Sequence, residues 1–192
     1  MQNRIFMIAG PNGAGKTTTA LALQPDLLRI YECINADEIA RGLAPLHPQS
    51  VAITAGKLMV QRLRDLLNAK KNFAFETTAA GTNYVKYLQN ARQIGYEINL
   101  MYLWLSSPDL AVKRVEHRVT EGGHHVPEEV VRRRFKAGLK NIIHHYLPLA
   151  HTALILDNSA EQQRIIARKS IDDGLEIEEK TVWQEILRLA HA

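Results

Sequence analysis

The residues best suited to chemistry stand near the start of the chain, in Gly10-Pro11-Asn12-Gly13-Ala14-Gly15-Lys16-Thr17-Thr18. Residues 10–17 fit G-x-x-x-x-G-K-[ST], the pattern of a loop that wraps phosphate groups. Each residue type in it has a physical task. The glycines let successive backbone amides turn inward around phosphate oxygens. A helix beginning near Lys16 adds unpaired N–H groups and the positive end of its dipole. Lys16 would bridge the β- and γ-phosphates of ATP, and the Thr17 hydroxyl would ligate Mg²⁺. The flanks agree with this reading, because Ile5-Phe6-Met7-Ile8-Ala9 reads as a buried strand and Ala20-Leu21-Ala22-Leu23 as helix. A bare glycine turn between a strand and a helix is the alternative, and it gives no reason for the Lys-Thr that closes the pattern.

Two carboxylates qualify next. The helix over 16–23 should stop near Pro25, and a short strand over 30–34 should deliver Asn35-Ala36-Asp37-Glu38. A strand over 72–75 should run into Glu76-Thr77-Thr78-Ala79-Ala80-Gly81. In an α/β sheet, ligands bind beyond the carboxyl ends of the strands, so Asp37, Glu76, Thr77 and Thr78 fall where a substrate would lie. Asp37 could instead cap a short helix over 38–41, and the threonines could serve a cap or turn; these roles are compatible with chemistry.

A third group is cationic. Residues 114–136 read as two arginine-rich helices around Gly122-Gly123-His124-His125-Val126-Pro127. Arg114 and Arg118 share a helical face, as do Arg132 and Lys136. Beside a phosphate loop this segment suits a lid that brings cations to a transferring phosphoryl group. The competing reading is a solvated face paired with Glu116, Glu121, Glu128 and Glu129. His124-His125 and His144-His145 do not make a metal site, because adjacent histidines diverge on a helix and no third ligand is suitably spaced.

The elements needed to position these groups follow from periodicity. A long helical stretch over 48–69 has apolar residues at Ile53, Leu58, Leu63, Leu66 and Leu67, and a helix over 83–93 ends at Gly95. The continuous apolar run over 98–105 reads as a central strand buried on both faces. Another strand, over 152–156, leads to Asp157-Asn158-Ser159, near a nucleotide base. Residues 164–169 and 174–178 suit short edge strands, and 181–191 a terminal helix. Five strands alternating with helices imply an α/β phosphate-loop fold, a doubly wound and mostly parallel five-stranded sheet with a helical lid.

Bulk properties are compatible with this and narrow it little. A chain of 192 residues suits one domain over 1–192, and 46% hydrophobic with 23% charged residues is ordinary globular composition. The net charge of +4 and isoelectric point near 9.2 suit a polyanionic ligand. Nucleotide phosphates satisfy that charge, so no nucleic-acid partner is expected. Cys33, the one cysteine, forms no internal disulfide and suits a reducing compartment. No apolar run approaches the ~20 residues that span a bilayer, and the start of the chain lacks a signal-peptide layout. A cytoplasmic protein without a membrane partner is expected.

Phosphoryl transfer needs chiefly positioning and charge neutralisation, which this set of groups supplies. Asp37 would take the proton of an acceptor hydroxyl and Glu76 would orient the acceptor, so a kinase acting on a small molecule follows. An ABC ATPase would need a Leu-Ser-Gly-Gly-Gln-like signature, and a GTPase Asn-Lys-x-Asp; neither is in the chain. A nucleotide-dependent interaction protein, or an ATPase without an acceptor, would leave the carboxylates and the lid without a task.

Four motifs in order, residues 10–18, Asn35-Ala36-Asp37-Glu38-Ile39-Ala40, Phe75-Glu76-Thr77-Thr78 and residues 122–127, resemble the zeta toxin family, including its short stand-alone bacterial members. The similarity runs over residues 5–159. It implies an ATP-dependent kinase acting on a sugar hydroxyl of a nucleotide sugar such as UDP-N-acetylglucosamine, with a neutralising antitoxin as a separate protein. It also implies that Asp37 is the catalytic base and Glu76 the substrate-binding acid. By the same resemblance Arg118 would be the first lid arginine at the phosphates and the second would be Arg132, Arg133 or Arg134, with Arg134 preferred and Arg132 next, while Asn158 looks like part of the adenine-side loop.

Overall fold

The apolar opening run forms β1 (Arg4–Ala9), which lies between β3 (Phe73–Thr77) and β4 (Glu97–Trp104) and pairs in parallel with both. The computed structural model describes residues 2–23, 30, 32–123 and 125–191. Pro25, Tyr31 and His124, which figured in the sequence expectations, lie outside the described residues. The remaining strands are β2 (Cys33–Ile34), β5 (Thr152–Asp157), β6 (Arg164–Ser170) and β7 (Gly174–Ile177). Strand order is β2-β3-β1-β4-β5-β6-β7, parallel through β5 and antiparallel from there. Among the described residues the sheet therefore has seven strands. The expected parallel five are its doubly wound part, and the two edge segments add an antiparallel hairpin whose inner strand buries Ile166 and Ala167.

Helices α1 (Lys16–Leu23), α2 (Ala36–Leu43), α3 (Ala52–Asn68), α4 (Asn83–Gln93), α5 (Pro108–Thr120), α6 (Glu128–Asn141), α7 (Leu147–Leu149) and α8 (Lys180–His191) flank the sheet. A 3₁₀ turn, Pro48–Val51, leads into α3, and a π-turn, Ile142–Tyr146, joins α6 to α7. On β4, Leu100, Tyr102 and Trp104 pack with α3, α4 and α8 residues such as Met59, Leu88 and Ile186, while Leu103 packs with Val112 and Val115 of α5 and Val131 and Phe135 of α6. That alternation is the two-residue period of a strand buried on both faces. Burying each such aliphatic side chain contributes about 1.5–3 kcal/mol.

The buried stripe of α3 is Ala55, Met59, Leu63 and Leu66, spaced four, four and three apart. Ile53 and Leu58, read from sequence as packing positions, are 78% and 45% exposed. They fall off the stripe, and their hydrophobicity alone could not show that. No described helix is long and apolar enough to cross a membrane.

Candidate active site

The phosphate loop leaves β1 at Gly10 and enters α1 at Lys16, with its backbone pressed against the sheet and α5. Gly10 has φ +154°, and a β-carbon there would stand 2.6 Å from the Leu103 carbonyl oxygen. Gly13 has φ +78°, and a β-carbon there would stand 2.9 Å from the Ala111 carbonyl oxygen. Both positions require glycine on two counts, backbone conformation and space. Gly15 also has a positive φ, Ala14 is wholly buried, and Pro11 and Asn12 are buried. Asn158 reaches the loop from the end of β5, its Nδ2 donating to the Ala14 carbonyl at 2.8 Å. Arg114 donates in turn to the carbonyls of Asn158 (2.7 Å) and Ser159 (3.1 Å), which braces α5 against this support.

Lys16 Nζ donates to the carbonyls of Gly10 and Pro11, both at 2.9 Å. Burial pulls its pKa down to about 8 against the opposing pull of Glu76 and Asp37, and Arg118 and Arg134 lower it further. A cation that has lost its hydration gains most from an arriving phosphate.

Glu76 is only 6% exposed and lies inside β3, partnered with Ile8 of β1. The strand runs through Thr77, two residues past the expected end, because the ladder with β1 continues to Ala9. Glu76 Oε2 accepts from the Thr17 hydroxyl at 2.8 Å and from Asn35 Nδ2 at 3.0 Å. Its pKa is raised: burial outweighs the help of Thr17, Lys16 and Asn35, and the negative charge of Asp37 adds to the rise. Thr77 Oγ1 accepts from the Ala79 N–H at 3.0 Å.

Asp37 is not a cap. The helix begins at Ala36, two residues before the expected start, and Asn35 caps it by accepting from the Asp37 N–H at 2.8 Å. Asp37 consequently stands in the first turn, exposed on the cleft, where the helix dipole favours a negative charge.

A cleft of about 590 Å³ joins these groups: Gly13, Gly15, Lys16, Thr17 and Thr18 of the phosphate loop and α1, Asp37 of α2, and Glu76, Thr77 and Thr78 with Ala80, Asn83 and Tyr84 at and after the end of β3. Arg114, Arg118 and Arg134 line it as well. Arg132 does not. It bonds Asp109 of α5 at 2.6 Å and Glu128, one turn earlier on α6, at 2.7 Å. The geometry thus brings Arg134 to the cleft, and holds Arg132 in ion pairs that belong to the solvated-face reading.

The loop after β3 is held from behind by α6. A β-carbon on Gly138 would fall 2.3 Å from the Thr78 carbonyl oxygen, Asn141 Nδ2 donates to the Ala79 carbonyl at 2.9 Å, and the Tyr146 hydroxyl donates to the Gly81 carbonyl at 2.6 Å. Ala79 has φ +56°, uncommon for a residue with a side chain. Sequence reasoning missed Asn35, Gly138 and Asn141. An Asn just before a helix is a cap signal and could have found the first; partners 41 and 62 residues away carry no local signal.

The donor set fits a hydrated Mg²⁺. Thr17 gives its proton to Glu76, which leaves its oxygen lone pairs for a cation, and the nearby carboxylates are hard oxygen donors. Among the described residues no cluster of three or more His, Cys, Asp or Glu could hold a metal ion by itself.

Comparison with known proteins agrees with the geometry. A family model described as an AAA domain matches residues 5–142. An uncharacterised protein of Haemophilus influenzae is 27% identical over 135 residues, 70% of this chain and 94% of that protein. Among solved structures, a chain of the AvrRxo1-ORF1:AvrRxo1-ORF2 complex with sulphate ions is similar with a TM-score of 0.77 at 18% identity, the match covering 96% of this chain and 63% of that one. A structure from the PezAT chromosomal toxin-antitoxin system of Streptococcus pneumoniae is similar with a TM-score of 0.61 at 15% identity, covering 100% and 85%. At such identities the likeness is one of fold, an α/β fold with a mostly parallel sheet flanked by helices.

Proposed function

The chain belongs to the AAA domain family, and on that premise we propose that it is an ATP-dependent phosphotransferase moving the γ-phosphoryl group to a hydroxyl of a small molecule. One observation carries the reading: the phosphate loop, two carboxylates and two arginines of different helices converge on a single cleft. Lys16 and the loop amides hold the β- and γ-phosphates. The acceptor lies between Asp37 and residues 77–84, its oxygen in line with the γ-phosphorus. Asp37 accepts the hydroxyl proton as the new oxygen–phosphorus bond forms and the bond to the β-phosphate oxygen breaks, leaving ADP. Arg118 and Arg134 stabilise the negative charge spread over the equatorial oxygens. Mg²⁺, when bound through Thr17, neutralises phosphate charge. Glu76 supports Thr17 and faces the acceptor.

The four zeta-toxin-like motifs support a nucleotide sugar such as UDP-N-acetylglucosamine as acceptor, acting in the cytoplasm. Those motifs, with the likeness to the PezAT structure, support a separate antitoxin protein as partner. The test is incubation with γ-labelled ATP and a panel of nucleotide sugars and other metabolites. We expect one labelled product, absent with Asp37→Ala although that variant still binds ATP. ATP binding with no labelled metabolite would favour an interaction protein, and full turnover by Asp37→Ala would remove the base assignment.

A further inference from the structure

Asn35 bonds both the Glu76 carboxylate and the backbone of Asp37, two acidic residues that line the cleft. Its Oδ1 accepts from the backbone N–H of Asp37 at 2.8 Å and its Nδ2 donates to Glu76 Oε2 at 3.0 Å. The orientation of the amide follows from its partners, since an N–H needs an acceptor and a carboxylate oxygen needs a donor. We propose that Asn35 is a positioning residue for phosphoryl transfer: it fixes the first turn of α2, and with it Asp37, relative to the carboxylate of Glu76 and so to Thr17. This rests on the kinase reading of the site.

The residue type is what the task demands. Ser, Thr and Asp cap a helix about as well as Asn. Their side chains lack a planar amide that accepts at one end while donating at the other. Asp would place a second carboxylate beside the buried Glu76. Glu76 Oε2 has two donors from different elements: Thr17 lies in the first turn of α1 after the phosphate loop, and Asn35 caps the helix carrying Asp37. The chain Thr17–Glu76–Asn35–Asp37 therefore runs without a gap from the phosphate loop to the backbone of Asp37, through bonds of 2.8, 3.0 and 2.8 Å. Reactive geometry is sensitive to such links, since a displacement of about 1 Å lowers rate by about 100-fold.

The test separates capping from the link to Glu76. Asn35→Ser and Asn35→Asp keep an oxygen for the Asp37 N–H and lose the amide donor; Asn35→Ala loses both. In the Ser variant, which keeps a cap oxygen but leaves the buried Glu76 one donor short, we expect a melting temperature about 4–8 °C below wild type, with a larger fall in the Asp variant because of the second carboxylate; in both we expect an unchanged KM for ATP and a kcat lower by about 30-fold or more. A merely structural cap would leave kcat at the wild-type value in both, and that result would overturn the proposal. Calorimetry of ATP binding against Mg²⁺ concentration supplies a readout that needs no acceptor. Loss of one of the two donors to Glu76 should raise the Mg²⁺ concentration for half-saturation severalfold. If the wild-type protein labels no acceptor, the kinase reading fails on that result, and an unchanged Mg²⁺ requirement in the variants would then overturn the role of Asn35 separately.

Discussion

Replacing Gly138 by alanine sets two opposing effects against each other, and the structure decides between them. In an exposed helix the change would stabilise by about 1 kcal/mol, through the higher helix propensity of alanine. At Gly138 the new β-carbon would meet the Thr78 carbonyl oxygen at 2.3 Å, where carbon–oxygen contacts begin near ~3.3 Å. Helix and loop must part by about 1 Å. The loop cannot yield alone, because Asn141 holds the Ala79 carbonyl at 2.9 Å and Tyr146 holds that of Gly81 at 2.6 Å. Overpacking of this kind costs about 1–3 kcal/mol, and weakening either hydrogen bond adds about 1 kcal/mol. The net is a loss of about 2 kcal/mol, which for a chain of this size is a fall of about 4–8 °C in Tm. Gly56, in the interior of α3, is the control, since a β-carbon there meets nothing within 4 Å. Gly56→Ala should raise Tm by about 2–4 °C. Thermal and urea unfolding of both variants measures the contrast. A Gly138→Ala protein as stable as wild type would refute the claim that α6 is fitted to this loop.

Two further outcomes follow from the charges of the cleft. The Lys16 ammonium, with a pKa held near about 8 by burial, must be protonated to hold phosphates, and bound phosphates raise its pKa. ATP binding therefore takes up a proton above pH 8, and affinity falls as pH rises through that value, by about tenfold from pH 7 to pH 9; calorimetry in buffers of different ionisation enthalpy checks it, and Lys16→Met should abolish the dependence. Arg134 lines the cleft whereas Arg132 is paired with Asp109 and Glu128. Arg134→Ala should lower the transfer rate about 100-fold or more at little cost in stability, and Arg132→Ala should leave it within about threefold, because its ion pairs are solvent-exposed and contribute little; equal effects of the two on labelled transfer would contradict the placement.

What could be read from the chain before its fold was known divides by the distance over which the information acts. The phosphate loop was legible because its determinants are contiguous: glycine conformation, a Lys-Thr pair and a helix start within residues 10–18. The parallel strands were legible because burial on both faces leaves continuous apolar runs such as residues 98–105. Strand ends were less so. Glu76 looked like a residue beyond its strand, since nothing local says that the ladder to β1 continues to Thr77. Capping by Asn35 rather than Asp37 turned on a two-residue shift in where α2 begins, within the usual uncertainty of helix ends. Least legible were links across the fold, in which the same helix α6 brings Arg134 to the cleft and, one turn later, presses Gly138 on the loop after β3. Two residues four apart on one helix share a face, so a shift of α6 that moves the arginine also moves that loop. The helices of the arginine segment are anchored as well, through Val112, Val115, Val131 and Phe135 against Leu103 and Leu156. Closure over a bound nucleotide would therefore be a small sliding of packed helices rather than a free flap. Such sliding would tighten the acceptor side whenever Arg134 approaches the phosphates, coupling occupancy of one half of the cleft to the shape of the other.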